Sequence, residues 1–313
     1  MIFFTLYICI EGDKMLELLK KCELCPRKCQ INRLNNEIGF CGATYKIKIA
    51  RASLHNWEEP CISGTNGSGT VFFSHCTLKC VFCQNYNLSH NNFGKEITIE
   101  RLSDIFLELQ AKGAHNINLV TPTHYIPQII EALKIAKSEG LTIPIVYNSS
   151  GFENLEIIKL LNGLIDIYLP DFKYFNNELA RKYSSASNYF ENVSACLHEM
   201  FNQVGQPEFN NDIMQKGIII RHLVLPGFTE DSKKILNYIH KNYKNKVYIS
   251  IMNQYTPIIS NLKNYPEISR KLTNIEYDNV IDYAISLGIE NAFIQEGETA
   301  TESFIPEFDL TGL

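Results

Sequence analysis

The sequence has no strongly basic stretch, no internal repeat and no low-complexity tract. Its 313 residues carry a formal net charge of −5, with 29 lysines and arginines scattered among 34 acidic residues. A phosphate backbone is recognised through clustered positive charge, so nucleic acid is not expected as a partner. With 45% hydrophobic residues, the chain is long enough to bury one large core. The sequence therefore predicts an enzyme-sized globular protein with room for a small appendage at one end.

A long apolar run is also missing. The opening MIFFTLYICI is apolar for ten residues, lacks a positive start and meets EGDK without a small-residue cleavage site. A membrane-spanning helix needs about 20 apolar residues, and a secretory leader has a different layout. The sequence therefore predicts no membrane partner. The opening is interpreted either as a first strand or as an overextended start ahead of the amphipathic segment MLELLKKC, which begins at Met15.

Cysteine, in contrast, is abundant, with ten residues. In a chain of this size without a secretory leader, clustered cysteines indicate metal or iron–sulfur ligation inside the cell rather than disulfides. Seven of the ten form two groups, the N-terminal array of Cys22, Cys25, Cys29 and Cys41 and the three-cysteine array of Cys76, Cys80 and Cys83. Buried apolar positions are expected for the scattered cysteines, which are Cys9, Cys61 and Cys196.

Short apolar runs alternate with segments of helical spacing from about residue 69 onward. Two such segments, IERLSDIFLELQAKG and IPQIIEALKIAKSEG, are predicted to be helices, the second with Pro127 near its start and Gly140 at its end. The runs are GTVFF, NINLVT, IPIVYN, IDIYLP, GIIIRHLVL, VYISIM and NAFIQE. Continuous apolar runs are typical of strands covered on both faces, and a repeated strand–helix order predicts a parallel sheet. We predict an α/β fold, a partial or full parallel (β/α) barrel at residues 61–313, with a Cys-rich N-terminal extension at residues 1–60. An open doubly wound sheet is the alternative.

The segment SHCTLKCVFCQNYN places the three-cysteine array directly after the first strand of this series. Three thiols are one short of the four that close a zinc site, for which His75 and His90 are the nearest additional ligands. A 4Fe-4S cubane offers another solution, because three thiolates hold three irons and leave the fourth iron open. Functional residues gather at the carboxyl ends of parallel strands, so the array is predicted to lie in a functional site.

The array, with Phe82 before its last cysteine, resembles the signature of the radical S-adenosylmethionine (radical SAM) superfamily. The segments EEPCISGTNGSGTVFFSHCTLKCVFCQN, NLVTPTHYIPQII, LPDFKY, RHLVLPG and AFIQEGE are similar to relatives of the pyruvate formate-lyase activating enzyme. This resemblance implies a radical SAM barrel in which Cys76, Cys80 and Cys83 hold a 4Fe-4S cluster whose open iron binds S-adenosylmethionine. The implied activity is that of an oxidoreductase, which cleaves S-adenosylmethionine reductively to a 5'-deoxyadenosyl radical that abstracts hydrogen.

The resemblance also implies partners. They are a glycyl radical enzyme, one glycine of which is the substrate, and a flavodoxin or ferredoxin as electron donor, in an anaerobic, cytoplasmic setting. Hydrogen abstraction from a small molecule or another peptide is an alternative, since likeness of fold does not establish a substrate. A non-catalytic iron–sulfur electron-transfer or metal-binding protein is an alternative of another class. The array that is one thiol short argues against it.

The resemblance implies positions for contacts with S-adenosylmethionine at the ends of two strands. Many superfamily members carry Gly-Gly-Glu where this chain reads VTPTHY. Thr121 and Thr123 offer hydroxyls there, but the carboxylate is missing. The next strand ends in VYNSSGF, where Asn148 and Ser149 are placed to contact the ribose or methionine portion. A helix N-cap made by Ser149 or Ser150 is the alternative.

Charged residues follow in the next two strands. Asp171 in LPDFKYF is expected to face the cofactor as an acceptor or as the ligand of a small cation, and Lys173 to pair with the carboxylate of S-adenosylmethionine. An Asp–Lys ion pair at the strand end is the alternative. Arg221 lies inside the apolar run IIIRHLVLPG, where an unpaired charge is costly. Its expected partner is the cofactor carboxylate, with an acid of the barrel as the alternative.

The N-terminal array reads CELCPRKC and, after eleven intervening residues, the cysteine of GFCG. Four thiolates suffice for a closed zinc site or for a fully ligated iron–sulfur cluster, and the spacing does not choose between them. A closed site has no position for S-adenosylmethionine. The expected role of this second centre is therefore structural or electron relay.

Overall fold

The computed structural model describes residues 12–258, 260–295 and 306–313. The apolar opening MIFFTLYICI, with its predicted first strand and Cys9, lies outside the described residues. Within the described part of the chain, no helix is long and apolar enough to cross a membrane.

The described residues form a ten-stranded sheet. Its strands are β1 (Ile47–His55), β2 (Ser68–Phe73), β3 (Lys95–Ile97), β4 (Ile117–Val120), β5 (Ile145–Ser149), β6 (Ile167–Pro170), β7 (Glu208–Asn210), β8 (Ile213–Leu223), β9 (Tyr248–Met252) and β10 (Ala292–Ile294). Neighbouring strands follow the order β10-β9-β8-β6-β5-β4-β2-β1-β3, and β7 pairs with β8. Every pairing from β2 to β10 in this order is parallel, whereas β1, β3 and β7 pair antiparallel.

The seven apolar runs of the sequence correspond to β2, β4, β5, β6, β8, β9 and β10, so the predicted α/β class is confirmed. All residues of β2, β5 and β6 are buried, as expected for strands covered on both faces. The outer strands β3 and β10 do not pair with each other among the described residues. The sheet is therefore open along one side and forms a partial barrel.

Helices connect the strands. They are α1 (Gly12–Glu17), α2 (Pro60–Ser63), α3 (Tyr86–Ser89), α4 (Ile99–Ala111), α5 (Ile126–Ser138), α6 (Leu155–Lys159), α7 (Asn177–Ser184), α8 (Tyr189–Val204), α9 (Thr229–Tyr243) and α10 (Asn274–Ser286). Short 3-10 turns occupy residues 33–35, 123–125 and 266–268.

The two helices predicted from sequence, α4 and α5, begin and end with recognisable signals. The Thr98 side chain accepts the amide N–H of Arg101 and caps α4, which supplies an acceptor for an otherwise unpaired donor. Pro127 lies in the first turn of α5, where its missing N–H costs nothing. Gly140, with φ of +104°, follows the end of that helix. Both helices turn an apolar face inward.

The segment between β1 and β2 fills the lower interior of the partial barrel. His55, the last residue of β1, lies opposite Ser68, the first residue of β2, so the chain enters at the amino ends of the parallel strands. Cys61 and Ile62 of α2 pack there with apolar residues of β5, β6 and β8, which are Val146, Ile167, Leu169, Met214 and Ile219. Cys61 is thus buried as expected, and so is Cys196 in α8.

The two ends of the described chain meet on β1. Residues 47–55, which the sequence analysis assigned to the N-terminal extension, form this strand of the main sheet. The amide of Ala52 donates to the carbonyl of Thr311 (2.9 Å), and the amide of Leu310 donates to the carbonyl of Ala50 (3.1 Å). Gly312 has φ of +82°, and a Cβ atom there would lie 2.1 Å from the carbonyl oxygen of Ala52. Only glycine allows this close approach.

Candidate functional site

A cavity of about 1070 Å³ is bordered by the carboxyl ends of β4, β5, β6, β8, β9 and β10 and by the loop after β2. This is the position at which parallel α/β folds carry their ligands. Most of the predicted site residues line it, namely Cys76, Cys80, Cys83, Thr121, Asn148, Ser149, Asp171, Lys173 and Arg221. Thr123 is not among the lining residues.

Each sulfur of the three-cysteine array accepts a hydrogen bond from a different donor. The amide of Leu78 donates to Sγ of Cys76 (3.4 Å). The Ser184 hydroxyl donates to Sγ of Cys80 (3.0 Å), and the Ser89 hydroxyl donates to Sγ of Cys83 (3.2 Å). Hydrogen bonds to ligand sulfur atoms are one means by which proteins tune an iron–sulfur cluster. The three sulfur atoms are thus held by independent parts of the fold, and their residues face one cavity.

The array lies in a dry environment. Burial raises the pKa of Cys80 to about 11 and that of Cys83 to about 12. Without a metal these groups are therefore neutral thiols at pH 7, and iron would supply the positive charge that favours thiolates. Phe82 also lines the cavity and packs edge-on against Tyr255, with ring centroids 5.8 Å apart.

Asp171 and Lys173 form an ion pair at the end of β6. Nζ of Lys173 lies 2.6 Å from Oδ2 of Asp171, and the two side chains are 17% and 21% exposed. Burial alone would lower the pKa of Lys173, but the charge of the Asp171 carboxylate and its hydrogen bond raise it. The structure therefore shows the ion pair that was the alternative prediction, and it places this pair on the cavity wall beside the three-cysteine array.

Arg221 has acidic partners that sequence reasoning missed. Its Nε donates to Oε1 of Glu59 (2.8 Å) and its Nη2 to Oε2 of Glu59 (2.7 Å), while Nη2 also contacts Glu58. Burial opposes ionisation of Glu59, but Arg221 lowers its pKa below the usual value. The structure thus favours the acid alternative over the cofactor carboxylate. The EEP segment before α2 carries these acids, and only the path of the chain through the barrel brings them to β8.

The polar residues after β4 and β5 form one rim of the cavity. The amide of Thr121 donates to the carbonyl of Asn148 (2.9 Å), and Thr121 has φ of +60°, which is uncommon for a residue with a branched side chain. The hydroxyl of Ser149 accepts the amide N–H of Gly151 (3.3 Å). The helix that follows is capped by Asn154, so the N-cap prediction for Ser149 or Ser150 is wrong.

A family model described as the radical SAM superfamily matches residues 70–239, more than half of the chain, including all three cysteines. The chain belongs to the radical SAM superfamily. It is 33% identical over 281 residues to the uncharacterized protein MJ0674 of Methanocaldococcus jannaschii, across 85% of this chain and 75% of that protein. The cofactors of the superfamily are a 4Fe-4S cluster and S-adenosylmethionine, and three sulfur atoms beside a large cavity that also carries charged and polar side chains on its wall fit this pair.

Three solved structures are similar to this chain. Methylornithine synthase (PylB) aligns with a TM-score of 0.47 and 16% identity, over 67% of this chain and 59% of that chain. SuiB of Streptococcus suis bound to S-adenosylmethionine aligns with a TM-score of 0.49 and 16% identity, over 72% of this chain and 49% of that chain. HemN of Escherichia coli, a coproporphyrinogen III oxidase, aligns with a TM-score of 0.46 and 12% identity, over 67% of this chain and 49% of that chain. The radical SAM chain described here spans about half the length of these proteins.

Thr123 and Glu153 form a buried pair behind the cavity wall of this radical SAM enzyme. The Thr123 hydroxyl donates to Oε1 of Glu153 (2.7 Å), and the Tyr147 hydroxyl donates to Oε2 (3.1 Å). Burial raises the pKa of Glu153 to about 7. Sequence reasoning missed this carboxylate because it follows β5 rather than β4. It holds the turn that contains Thr123, and Thr121 at the same turn reaches the cavity.

The N-terminal array gathers around a second, small cavity. The cavity is lined by Cys22, Cys25, Cys29 and Cys41, together with Arg27 and Arg33 and a few further residues. A Cβ atom at Gly39 would lie 2.9 Å from Sγ of Cys29, so the turn before Cys41 needs glycine to approach the sulfur. Among residues 12–258, 260–295 and 306–313, no three His, Cys, Asp or Glu side chains converge as they would around a single metal ion.

Proposed function

We propose that this radical SAM enzyme cleaves S-adenosylmethionine reductively in the large cavity and abstracts hydrogen from a glycine of a partner glycyl radical enzyme. When bound, the reduced 4Fe-4S cluster supplies one electron that breaks a C–S bond of S-adenosylmethionine, giving methionine and a 5'-deoxyadenosyl radical. The single observation that carries the proposal is the set of three cysteines, each hydrogen-bonded at sulfur, on the wall of a cavity of about 1070 Å³.

The chain's own residues would bind and orient the cofactor. Cys76, Cys80 and Cys83 would hold the cluster. Lys173 uses one N–H to bind Asp171 and keeps two further donors, which would bind the carboxylate of S-adenosylmethionine. Asn148, Ser149 and Thr121 line the same cavity and would supply further hydrogen bonds.

Apolar side chains would keep water and stray hydrogen donors away from the reacting atoms. Phe72, Leu78, Phe82 and Met252 line the same cavity, and the first three are buried. A radical reacts with the nearest available C–H or O–H bond, so a dry and closely packed wall limits side reactions.

The test is anaerobic reconstitution with iron and sulfide, reduction, addition of S-adenosylmethionine and measurement of 5'-deoxyadenosine. We expect product from the native protein and none from Cys83→Ala. Cys196→Ala removes a buried cysteine of α8 that does not line the cavity, and should retain activity. A fully reconstituted native protein that forms no 5'-deoxyadenosine would support the alternative of a non-catalytic iron–sulfur electron-transfer or metal-binding protein.

The glycyl radical partner rests on the resemblance to relatives of the pyruvate formate-lyase activating enzyme. An electron paramagnetic resonance doublet that appears on a candidate partner only in the presence of the active enzyme and S-adenosylmethionine would support it. Hydrogen abstraction from a small molecule or another peptide is the alternative. Transfer of deuterium from such a compound into 5'-deoxyadenosine, with no protein radical, would favour that alternative.

A flavodoxin or ferredoxin is proposed as the electron donor, because the cleavage consumes one low-potential electron per turnover. A cytoplasmic and anaerobic setting is proposed because such clusters are degraded by oxygen. We expect the reconstituted protein to lose its cluster absorbance in air and, with it, its activity. Retention of the full absorbance after aerobic purification would count against this setting.

The N-terminal array is proposed to hold a second metal centre, with zinc and iron–sulfur as the two candidates. The gathering of its four cysteines around one small cavity supports this proposal.

A further inference from the structure

We propose that Glu58, Glu59 and Arg221, which we call the acidic floor of the large cavity, bind a positively charged group of the substrate, an ammonium or a guanidinium. The inference rests on the proposed function, because the substrate of that function has to lie in this cavity, and it names the chemical group that the substrate carries. Three observations support it: the position of the two acids, the charge of the cavity wall, and the acceptor atoms around Glu58.

Glu58 lies across the interior of the partial barrel. Its Oε1 accepts a hydrogen bond from Nδ2 of Asn118 in β4 (3.0 Å), and its other carboxylate oxygen contacts Arg221 in β8. Strands β4 and β8 are separated by β5 and β6 in the sheet, so a carboxylate that contacts both lies inside the barrel. Glu59 binds the same arginine, and both acids line the cavity. They belong to the segment that fills the lower interior, whereas the three-cysteine array follows the carboxyl end of β2.

The wall of the cavity carries an excess of negative charge. Its charged side chains are those of Glu58, Glu59, Asp171, Lys173 and Arg221. Lys173 balances Asp171, so the single guanidinium of the acidic floor faces two carboxylates that are only 7% and 6% exposed. His55 also lines the cavity, but burial lowers its pKa, so it is neutral at pH 7 and adds no positive charge. A buried charge needs a counter-charge, and the wall leaves one carboxylate without a full one.

The cofactors would not supply the missing positive charge. A 4Fe-4S cluster with two positive charges in its core and three thiolate ligands has one net negative charge. S-adenosylmethionine, with its sulfonium, ammonium and carboxylate, has one net positive charge. The two cofactors together are therefore neutral, and the excess carboxylate of the wall remains. A substrate with one positive charge would balance the occupied cavity, whereas an anionic substrate would add to its negative charge.

The acceptor atoms around Glu58 outnumber their donors. A carboxylate has about four lone-pair positions, and in the described part of the chain Asn118 and Arg221 use two of them. Oδ1 of Asn118, whose side chain is completely buried, accepts no hydrogen bond from the described residues. Trp57, which precedes Glu58, lines the cavity and is 59% exposed, and an indole face attracts cations. These surroundings favour a cationic group with several N–H donors.

The charge preference is tested by calorimetry on the anaerobically reconstituted, unreduced protein with S-adenosylmethionine present. The probes are a short peptide in which lysine follows glycine and the same peptide with norleucine in place of lysine, which keeps the apolar stem and lacks the ammonium. We expect the lysine peptide to bind about tenfold more tightly, because its ammonium meets a buried carboxylate whose charge is incompletely balanced. Equal affinities, or binding of neither peptide, would overturn the proposal.

The role of the acidic floor is tested by Glu58→Gln. Glutamine keeps an oxygen that accepts from Asn118, and the pair of Glu59 and Arg221 stays intact, so the fold should be retained. The two peptides should then bind this variant with about equal affinity. An equal loss of affinity for both peptides, with the preference for lysine kept, would indicate a purely structural role and overturn the proposal. Glu178→Gln, at an exposed acid of α7, is the control and should keep the native preference.

A further titration separates the two sources of such a group. Butylammonium has the stem and charge of lysine without a peptide, so tighter binding of the lysine peptide supports a peptide substrate, and tighter binding of butylammonium supports a small molecule. Displacement of the lysine peptide by Mg²⁺ but not by Na⁺ at equal ionic strength would assign the acids to a metal ion and overturn the proposal. No reductant is present in these titrations, so a failure to form 5'-deoxyadenosine in the activity test would leave the binding result unchanged.

Discussion

The two cysteine arrays differ in what surrounds their sulfur atoms. The three-cysteine array borders a large cavity and lies beside the charge-balanced pair of Asp171 and Lys173. The N-terminal array borders a small cavity and lies beside Arg27 and Arg33, whose charges are balanced by no carboxylate of the described residues. One array is short of a ligand and open, and the other has four cysteines and is enclosed.

This difference separates two uses of the same side chain. A site that must bind a further molecule benefits from a vacant coordination position and from polar groups on its wall. Where its own charges are balanced, the charge of the occupied site is set by the incoming ligand. A site that only stores or stabilises charge benefits from a full set of ligands and from fixed cations around it. The number of cysteines alone would not have distinguished these uses, because the surroundings carry half of the information.

The largest expected effect separates the two arrays by function. Cys80→Ala should abolish formation of 5'-deoxyadenosine with any reductant, because it removes one of three ligands of the reacting cluster. Cys25→Ala should leave formation measurable when dithionite replaces the protein donor, because the reacting site keeps its ligands. The measurement is 5'-deoxyadenosine by chromatography after anaerobic reconstitution. Complete loss in both variants would show that the arrays act as one site.

The next effect concerns the balanced pair beside the three-cysteine array. Lys173→Met leaves the Asp171 carboxylate, which is 21% exposed, without its cation. Removing one partner of a fully buried pair typically costs about 3–5 kcal/mol of unfolding free energy, and the solvent exposure of Asp171 should reduce this loss to about 1–3 kcal/mol. Asp171→Asn/Lys173→Met removes both charges and should recover most of this loss. Urea unfolding of the metal-free protein at pH 7 measures both. If the single and double variants were equally unstable, the pair would not be the charge balance that we infer.

Much of the fold could be predicted because its signals are local. Seven strands were read from continuous apolar runs, and α4 and α5 from their periodicity, Pro127 and Gly140. The cysteine spacings identified both arrays for the same reason, since the ligands of each array lie close together in sequence. A pattern that is complete within about twenty residues can be recognised without knowing the path of the chain.

The parts that could not be predicted depend on that path. The acids that bind Arg221 lie 162 and 163 residues away in sequence, and no local pattern connects them. Glu153 is separated from Thr123 by a whole strand and its preceding helix, so a missing carboxylate after β4 gave no hint of one after β5. The contact of Gly312 with β1 is equally remote. A buried charged side chain needs a partner of opposite charge, but the sequence does not show which residue supplies it.

A smaller effect, on the pH dependence of stability, concerns Glu153. Its carboxylate accepts a hydrogen bond from Thr123 near the three-cysteine array and acts electrostatically on Cys25 of the N-terminal array. Its pKa is raised by burial from 4.5 to about 7, so the folded state binds the proton more tightly. The stability from this group is complete below pH 4.5 and is lost as the pH rises through 7. The loss amounts to about 3 kcal/mol.

Glu153→Gln should remove this dependence. Urea unfolding of the metal-free protein at pH 5 and pH 8 should show a difference about 3 kcal/mol smaller in the variant than in the native protein. Glu156→Gln, at an exposed position of α6, is the control and should parallel the native protein. If the unfolding free energy of Glu153→Gln changes with pH as much as that of the native protein, the buried carboxylate is not the group that titrates.

The smallest expected effect isolates one hydrogen bond. Ser184→Ala removes the hydroxyl that donates to Sγ of Cys80 but keeps the backbone carbonyl that accepts from Arg27. Loss of an outer hydrogen bond to a metal ligand typically costs about 10-fold or more in activity or affinity, and fewer donors to sulfur make a cluster harder to reduce. Formation of 5'-deoxyadenosine should therefore slow about 10-fold.

Ser187→Ala, at a nearby exposed serine, should leave that rate unchanged. The metal content of the N-terminal array should be the same in Ser184→Ala and in the native protein, because the contacts of Arg27 with backbone carbonyls are intact. Loss of metal from the N-terminal array with an unchanged rate of 5'-deoxyadenosine formation would mean that Ser184 acts through Arg27 rather than through Cys80. The hydroxyl and the carbonyl of one residue thus separate the tuning of one array from the link between both.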